Sequence, residues 1–418
     1  MIRALAQRCM LIGATGLLLS GCAQDEDIQI PIVIKIVRTI NSYESVSSED
    51  YMRLRASTDD VINQVKGVDP SIRPQLSLST RKNFVDEIKK QTRSGFGPDI
   101  IITDSETALE LYKEKLVDPI KIPNEDQADT PDFLYDLATA KDGKLVGRPV
   151  NQFIQLACYN KDKLESSPKS LEELRLSSTD STFGFALQLK DLFWSVEAFD
   201  AGIAMEAALN DKLVGPQLQK RVTNWLHWLE SASYQQNIRF LNNQRGLREA
   251  LTRGDLDWIT CWSSSLLELK EKMKDRLGVA GLPRGPSQKI KATTKLQVWA
   301  VGRNSSAAQR AKALVMLDFI SKPWAQKTYA LKLLTSMPVN RKAAKIVASK
   351  IPGGASALTS YARQASNVRA ARGQVKARVF RDPARYETIS DALLDTIYDI
   401  RTPEESTEDI LNSLRESR

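Results

Sequence analysis

Imidazole chemistry is nearly excluded by count, because the 418-residue chain contains a single histidine, His227. It lies between Leu226 and Trp228, in a stretch where Trp225, Leu226, Trp228 and Leu229 recur at helical spacing. A Ser-His-Asp system or a histidine metal cluster needs partners that this pattern does not offer. Cys158 and Cys261 could supply a nucleophile, but no imidazole stands at a workable spacing from either. No Gly-rich phosphate loop of the Walker or dinucleotide type follows an apolar run. Glu172 with Glu173, and Asp255 with Asp257, are paired carboxylates in positions expected on solvated helix or loop surface. These residues point to binding without chemistry, and no metal or cofactor is expected.

One cysteine does sit in a chemical context. Arg3 and Arg8 precede an apolar run from Met10 to Leu19 that is too short to span a membrane as a mature helix and has the layout of a secretory signal. The run ends in Leu19-Ser20-Gly21-Cys22, which looks like a bacterial lipobox, with the Cys22 thiol as the lipidated atom. The expectation is a signal peptide over residues 1–21 and a polar tether over 22–27. The mature protein is then exported and lipid-anchored to the cell membrane, facing the periplasm or outer surface; it does not span the bilayer. Cys9 leaves with the signal, so Cys158 and Cys261 remain, both in apolar strand-like runs. Buried thiols are the plain reading, and export permits a disulfide if the two strands are neighbours.

The elements that must position a binding site are α/β in pattern. A chain of this length with 42% apolar residues can bury one large or two moderate cores, so two lobes are expected. The organising stretch begins at Gly95-Phe-Gly-Pro-Asp99, and then Ile100, Ile101 and Ile102 read as a short strand buried on both faces. A helix follows at once, with Ser105 as its expected cap, Glu106 in the first turn, and Ala108, Leu109, Leu111 and Tyr112 as the buried stripe. The turn at Asp104 and Ser105 lies at the carboxyl end of a sheet strand, where open α/β sheets place ligands. Strands are also expected at residues 28–37, 72–78, 153–159, 182–188 and 296–301. Helices are expected at 51–65, 82–92, 307–320 and 323–334. Their alternation implies parallel crossover units with helices on both faces of the sheet.

Gly-Pro-Asp, three isoleucines, a helix and then Leu116-Val-Asp-Pro-Ile120 resemble the extracellular solute-binding proteins of ABC importers, in the maltose-binding-like class. Asp142-Gly-Lys-Leu-Val-Gly-Arg-Pro-Val150, followed by Tyr159-Asn-Lys-Asp162 and Ser167-Pro-Lys-Ser-Leu-Glu-Glu-Leu174, is similar to the segment that crosses between lobes in that family. Met337-Pro-Val-Asn-Arg341 matches the segment where the chain crosses back. The resemblance implies a two-lobed type II periplasmic-binding-protein fold hinged on crossover segments. Residues 28–151 and 294–340 would form lobe 1, with 152–293 and 341–418 forming lobe 2 and the closing helices.

The resemblance also implies where a ligand is held. Arg38 and Asn41 stand at the end of the first strand, where relatives often carry an aromatic residue. They would act with Asp104 and Ser105 from one side. Asn151, Phe153 and Gln155 fall in the hinge. Asp191, Trp194, Trp262 and Ser263 would face them from the second lobe, with polar groups orienting the solute and tryptophans stacking on an apolar ring face. Lys295 and Leu296 replace a pair of glycines common in the family, which implies a smaller or differently charged pocket. A sugar, oligosaccharide or glycosyl-polyol is the solute implied, while Arg38, Lys295 and Arg341 also permit a phosphorylated or carboxylated one.

The expected partners are that carbohydrate-like solute, the transmembrane subunits of an ABC permease and, through the anchor, a membrane. A monomer is expected. The 59 basic residues are largely balanced by 51 acidic ones, which describes an ordinary solvated surface. The basic run from Arg363 to Arg385, with Arg369, Arg372, Lys376 and Arg378, meets no aromatic before Phe380, so no nucleic acid is expected. Two other readings stay open at this point: a surface-anchored glycan hydrolase, and a lipoprotein that senses a solute without transporting it.

Overall fold

Ile100, Ile101 and Ile102 are fully buried, and the two faces of their strand go to different cores. Ile100 and Ile102 pack with Leu317 and Ile320, whereas Ile101 packs with Phe84 and Ile88. That is the double burial a continuous apolar run requires when helices cover both sides of a parallel sheet. This computed structural model describes residues 31–40, 48–79, 83–121, 129–286, 294–333, 336–350, 379 and 382–415. The expected signal peptide, tether and Cys22, the loop residue Asn41, and Arg369, Arg372, Lys376 and Arg378 of the basic run all lie outside the described residues.

Among the described residues there are eleven strands: β1 Ile32–Thr39, β2 Ile72–Ser79, β3 Ile100–Asp104, β4 Val117–Asp118, β5 Arg148–Asn160, β6 Phe183–Ala186, β7 Ile238–Leu241, β8 Trp258–Trp262, β9 Leu277–Ala280, β10 Thr294–Gly302 and β11 Met337–Pro338. The main path runs β2-β1-β3-β10-β5-β8-β6-β7. β1 is parallel to both β2 and β3, as the alternating pattern requires, and β10 returns antiparallel between β3 and β5. β6 is parallel to β7 and β8, so the second half repeats the scheme.

β5 joins the halves. Its 13 residues, roughly 40 Å at a strand's rise, are buried almost throughout. Residues 148–154 pair with β10, and from Gln155 onward the strand pairs with β8 and β9. Cys158 and Cys261 stand on neighbouring strands, β5 and β8, and form a disulfide with Cα atoms 5.8 Å apart. The plain reading of buried thiols is thus corrected, because non-local strand pairing brings together two residues separated by 103 positions.

The second half has an aromatic-rich core, where Phe183, Phe185, Trp225 and Trp258 meet Ile389, Leu393 and Ile410 of the C-terminal helices Pro383–Ile397 and Pro403–Arg415. Gly254, at φ +86°, closes the Gln244–Arg253 helix in the left-handed conformation that glycine adopts without strain. Gly302 is required by close approach, since a Cβ there would lie 1.8 Å from the Pro98 carbonyl oxygen. Among the described residues no helix is long and apolar enough to cross a membrane.

Candidate functional site

The register of four strands places a row of polar and aromatic side chains on one face of the sheet. Asp104 of β3 is opposite Gln297 of β10, and Gln297 is opposite Asn151 of β5. Lys295 is opposite Phe153, and Gln155 is opposite Trp262 of β8. Side chains alternate with period two along a strand and directly opposed residues share a face, so these seven form one continuous surface. It spans the point where β5 exchanges β10 for β8 as its partner. Every member is buried.

Two helices start at this face. The Ser105–Lys113 helix is capped by Asp104, whose Oδ1 accepts the Thr107 N–H at 2.8 Å. Asp104, not Ser105, is therefore the cap, because its backbone is still extended and its side chain reaches the third helical residue. The Leu189–Ala198 helix carries Lys190 and Asp191 in its first turn. Asp191 Oδ1 accepts the Trp262 indole N–H at 2.7 Å, and the Asp191 carbonyl accepts from Gln155 Nε2 at 2.6 Å. Asn151 Nδ2 donates to Gln297 Oε1 at 3.3 Å.

The electrostatics follow from enclosure. Burial, aided by the like charge of Glu106, pushes the Asp104 carboxyl up to about 7, against the opposing pull of the Thr107 N–H and Lys295. Burial also pulls Lys190 below the usual lysine range, with Lys295 adding to it, while Asp191, Asp104 and Glu106 act in the other direction. Charges from both starting helices and from β10 thus bear on one another in one small space.

The expected site residues divide. Asp104, Phe153, Gln155, Asp191 and Trp262 are brought together, with Ser105 buried at the helix start beside them. Trp262 is not an open platform: it clusters with Phe153, and the Lys295 Nζ lies 5.1 Å from its ring centroid. Ser263 is fully buried, and its Oγ accepts the Ile154 N–H at 3.1 Å, which pins β5 to the end of β8. Trp194 sits in the aromatic core, 6.2 Å from Phe185 and 6.1 Å from Trp228 between ring centroids. Arg38 is enclosed under the helices, donating to Thr58 Oγ1 at 2.7 Å and the Tyr329 hydroxyl at 2.9 Å. Arg341 is exposed at the start of the Arg341–Lys350 helix, and its N–H is bonded to the Asp129 carbonyl.

Lys190, Glu106 and Gln297 belong to the site and were not singled out as ligand-facing from the sequence. A signal for Gln297 existed. Lys295 and Gln297 are polar residues two apart at the start of a strand that is apolar from Val298 to Val301, and that period of two places both on one face, as the spacing of four places Asn151 and Gln155 on one face of β5.

Residues 80–352 match the family model described as bacterial extracellular solute-binding protein. Two maltooligosaccharide ABC transporter solute-binding lipoproteins, from two strains of Streptococcus pneumoniae, are 28% identical over 102 residues. That stretch covers 24% of this chain and 24% of each relative, about a quarter of their length. Among solved structures, the GacH receptor of Streptomyces glaucescens superposes with a TM-score of 0.69 at 13% identity, covering 92% of this chain and 100% of that one. The unliganded maltodextrin binding protein MalE1 of L. casei gives 0.67 at 12% identity, covering 93% and 100%. MalX of Streptococcus pneumoniae, in complex with maltopentaose, gives 0.64 at 16% identity, covering 91% and 99%. At such identities these likenesses establish the fold, a two-lobed α/β architecture.

Proposed function

The chain belongs to the bacterial extracellular solute-binding proteins, and we propose that it captures a small carbohydrate between its two lobes and delivers it to an ABC permease. Lobe 1 in this reading comprises residues 28–151 and 294–340, and lobe 2 comprises 152–293 and 341–418. Cys22 carries the lipid that keeps the protein at the membrane. The protein binds its solute without transforming it and works as a monomer.

The observation that carries the reading is the continuous row from Asp104 to Trp262, crossing the strand shared by both halves and met by helix starts from each. A hinged binder needs this placement, because ligand contacts stabilise closure only if they are made in the closed state and absent in the open one. Side-chain amides and carboxylates suit hydroxyl groups, and the buried aromatic pair Phe153 and Trp262 provides the apolar wall.

A thermal-shift screen of the detergent-solubilised full-length protein against sugars, glycosyl-polyols, amino acids and oligopeptides tests this. A ligand at 100 times its dissociation constant adds about 2.7 kcal/mol, which moves the midpoint by roughly 2 to 4 °C for a chain of this size. A selective shift from carbohydrates is the expected result. A shift from amino acids or peptides alone would overturn the carbohydrate assignment.

A further inference from the structure

Gln155 is the first residue of β5 to pair with β8, at the point where the strand leaves β10. Its Nε2 donates to the Asp191 carbonyl at 2.6 Å. A carbonyl can only accept, so this bond fixes the orientation of the amide and makes its other end the oxygen. That oxygen, Oε1, is buried and has no hydrogen-bond partner among the described residues. Asp191 is itself held by the Trp262 indole N–H at 2.7 Å, so a chain of bonds orients the amide.

A second unpartnered group lies beside it. Trp262 is directly opposite Gln155, and Thr260, two residues earlier in β8, shares the face of Trp262. Thr260 is therefore a diagonal neighbour of Gln155, with Cα atoms about 7 to 8 Å apart. Its side chain is fully buried, and its Oγ1 has no partner among the described residues. Each group is costly as it stands, because burial has taken its water and supplied nothing in return. The chemistry that satisfies both is narrow. Gln155 Oε1 only accepts, whereas the Thr260 hydroxyl carries a proton to donate. A hydroxyl group between them donates to Gln155 and accepts from Thr260, leaving neither open. A carboxylate has no proton for Gln155. An ammonium leaves the Thr260 proton without an acceptor and adds a buried charge.

We propose that Gln155 and Thr260 form a hydroxyl subsite in the cleft, which reads one hydroxyl of the carbohydrate and rejects analogues that lack it. Asp191 is the positioning residue, since its carbonyl holds the amide with the oxygen as the free end. A site built to hydrogen-bond a hydroxyl discriminates against its absence more strongly than pocket shape can. The inference rests on the reading of the cleft as a carbohydrate site and names the residues that discriminate among carbohydrates.

The test is isothermal titration calorimetry of the detergent-solubilised full-length protein. Glucose, galactose, mannose, maltose, lactose and trehalose are titrated first, and the tightest binder is then compared with its monodeoxy derivatives, one hydroxyl removed at a time. One derivative is expected to bind roughly tenfold to a hundredfold more weakly than the parent sugar, the range for leaving a buried acceptor unpaired. With Gln155→Met, the parent sugar and that derivative are expected to bind alike, while the other derivatives keep their differences from the parent. A variant that merely loosened the fold would weaken all of them together. Thr260→Val keeps the shape of the side chain and removes its hydroxyl. It is expected to narrow the same difference and no other, and it carries the test if Gln155→Met does not fold. A series in which no position distinguishes the variants from the unmodified protein, the result if a resident water fills the subsite, would overturn the inference and leave the carbohydrate reading standing. No binding of any sugar in the panel would overturn the carbohydrate reading and this inference with it.

Discussion

The indole N–H of Trp262 donates to Asp191 Oδ1 at 2.7 Å, tying the last residue of β8 to the first turn of the Leu189–Ala198 helix. Both residues are buried, so the bond is made away from competing water. It fixes which edge of the tryptophan is turned towards the helix and holds the helix start over the row formed with Gln155. Trp262 thereby has a positioning role in addition to any contact with solute.

Replacing Trp262 with Phe keeps most of the ring and removes the donor. Asp191 is then left as a buried acceptor lacking this partner, and a loss of about 1 to 3 kcal/mol is expected. Urea unfolding measures it. Trp262→Ala should cost more, about 3 to 5 kcal/mol, because it also opens a cavity. Equal stability of Trp262→Phe and the parent protein would show that the bond contributes nothing.

The Cys158–Cys261 bridge should matter to folding although it makes no contact in the row. It closes a loop of 103 residues of chain separation, and restricting the unfolded state over a long loop typically contributes about 2 to 4 kcal/mol. Denaturant curves of the oxidised protein and of Cys158→Ala/Cys261→Ala should differ by that amount. Coincident curves would assign the pair no stabilising role.

The strand at Ile100 to Ile102, the crossover strand and the helices that follow them were legible in the sequence, because long apolar runs and punctuated periodicity report local burial directly. The destinations of Arg38 and Trp194 were not. Arg38 stands at the end of β1, where ligand loops begin, yet its side chain is claimed by Thr58 and by Tyr329, 291 positions away. Trp194 shares a short helix with Asp191 in which nearly every residue is buried. Periodicity alone therefore could not tell the side chain aimed at the row from the one aimed at the core. The disulfide was undecided for the same kind of reason, since strand pairing between β5 and β8 is a property of the whole sheet.

Asp104 should make stability fall as pH rises through the weakly acidic range. Its carboxyl titrates at about 7 in the folded protein and near 4 in an unfolded chain. Between those values the folded state holds the proton that the unfolded state has released. Stability therefore decreases with rising pH across the window, and the full cost of burying the charge is present above it. Asp104→Asn keeps a side-chain oxygen for the Thr107 N–H and does not titrate. Urea unfolding across this range should show the variant gaining on the parent protein as pH increases; parallel curves would refute the assignment.

His227 titrates with the opposite sign. Burial lowers its pKa, but the flanking carboxylates of Glu230 at 3.1 Å and Glu404 at 3.0 Å outweigh that and raise it overall. The folded state then binds the proton more tightly than the unfolded chain, where histidine titrates near 6.5. The stabilisation is complete below that value and is lost as pH rises through the folded one. Because the ring is about half exposed, the effect should stay within about 1 kcal/mol. Glu404 lies in the Pro403–Arg415 helix and His227 in the Pro216–Ser233 helix, so what is gained at low pH is the docking of the C-terminal helix. His227→Gln should remove the His-linked pH dependence of the protection factors in the Pro403–Arg415 helix, measured against the intrinsic exchange rate at each pH, and NMR titration of the single imidazole should give a pKa above 6.5. A value at or below it would mean that burial outweighs the two carboxylates.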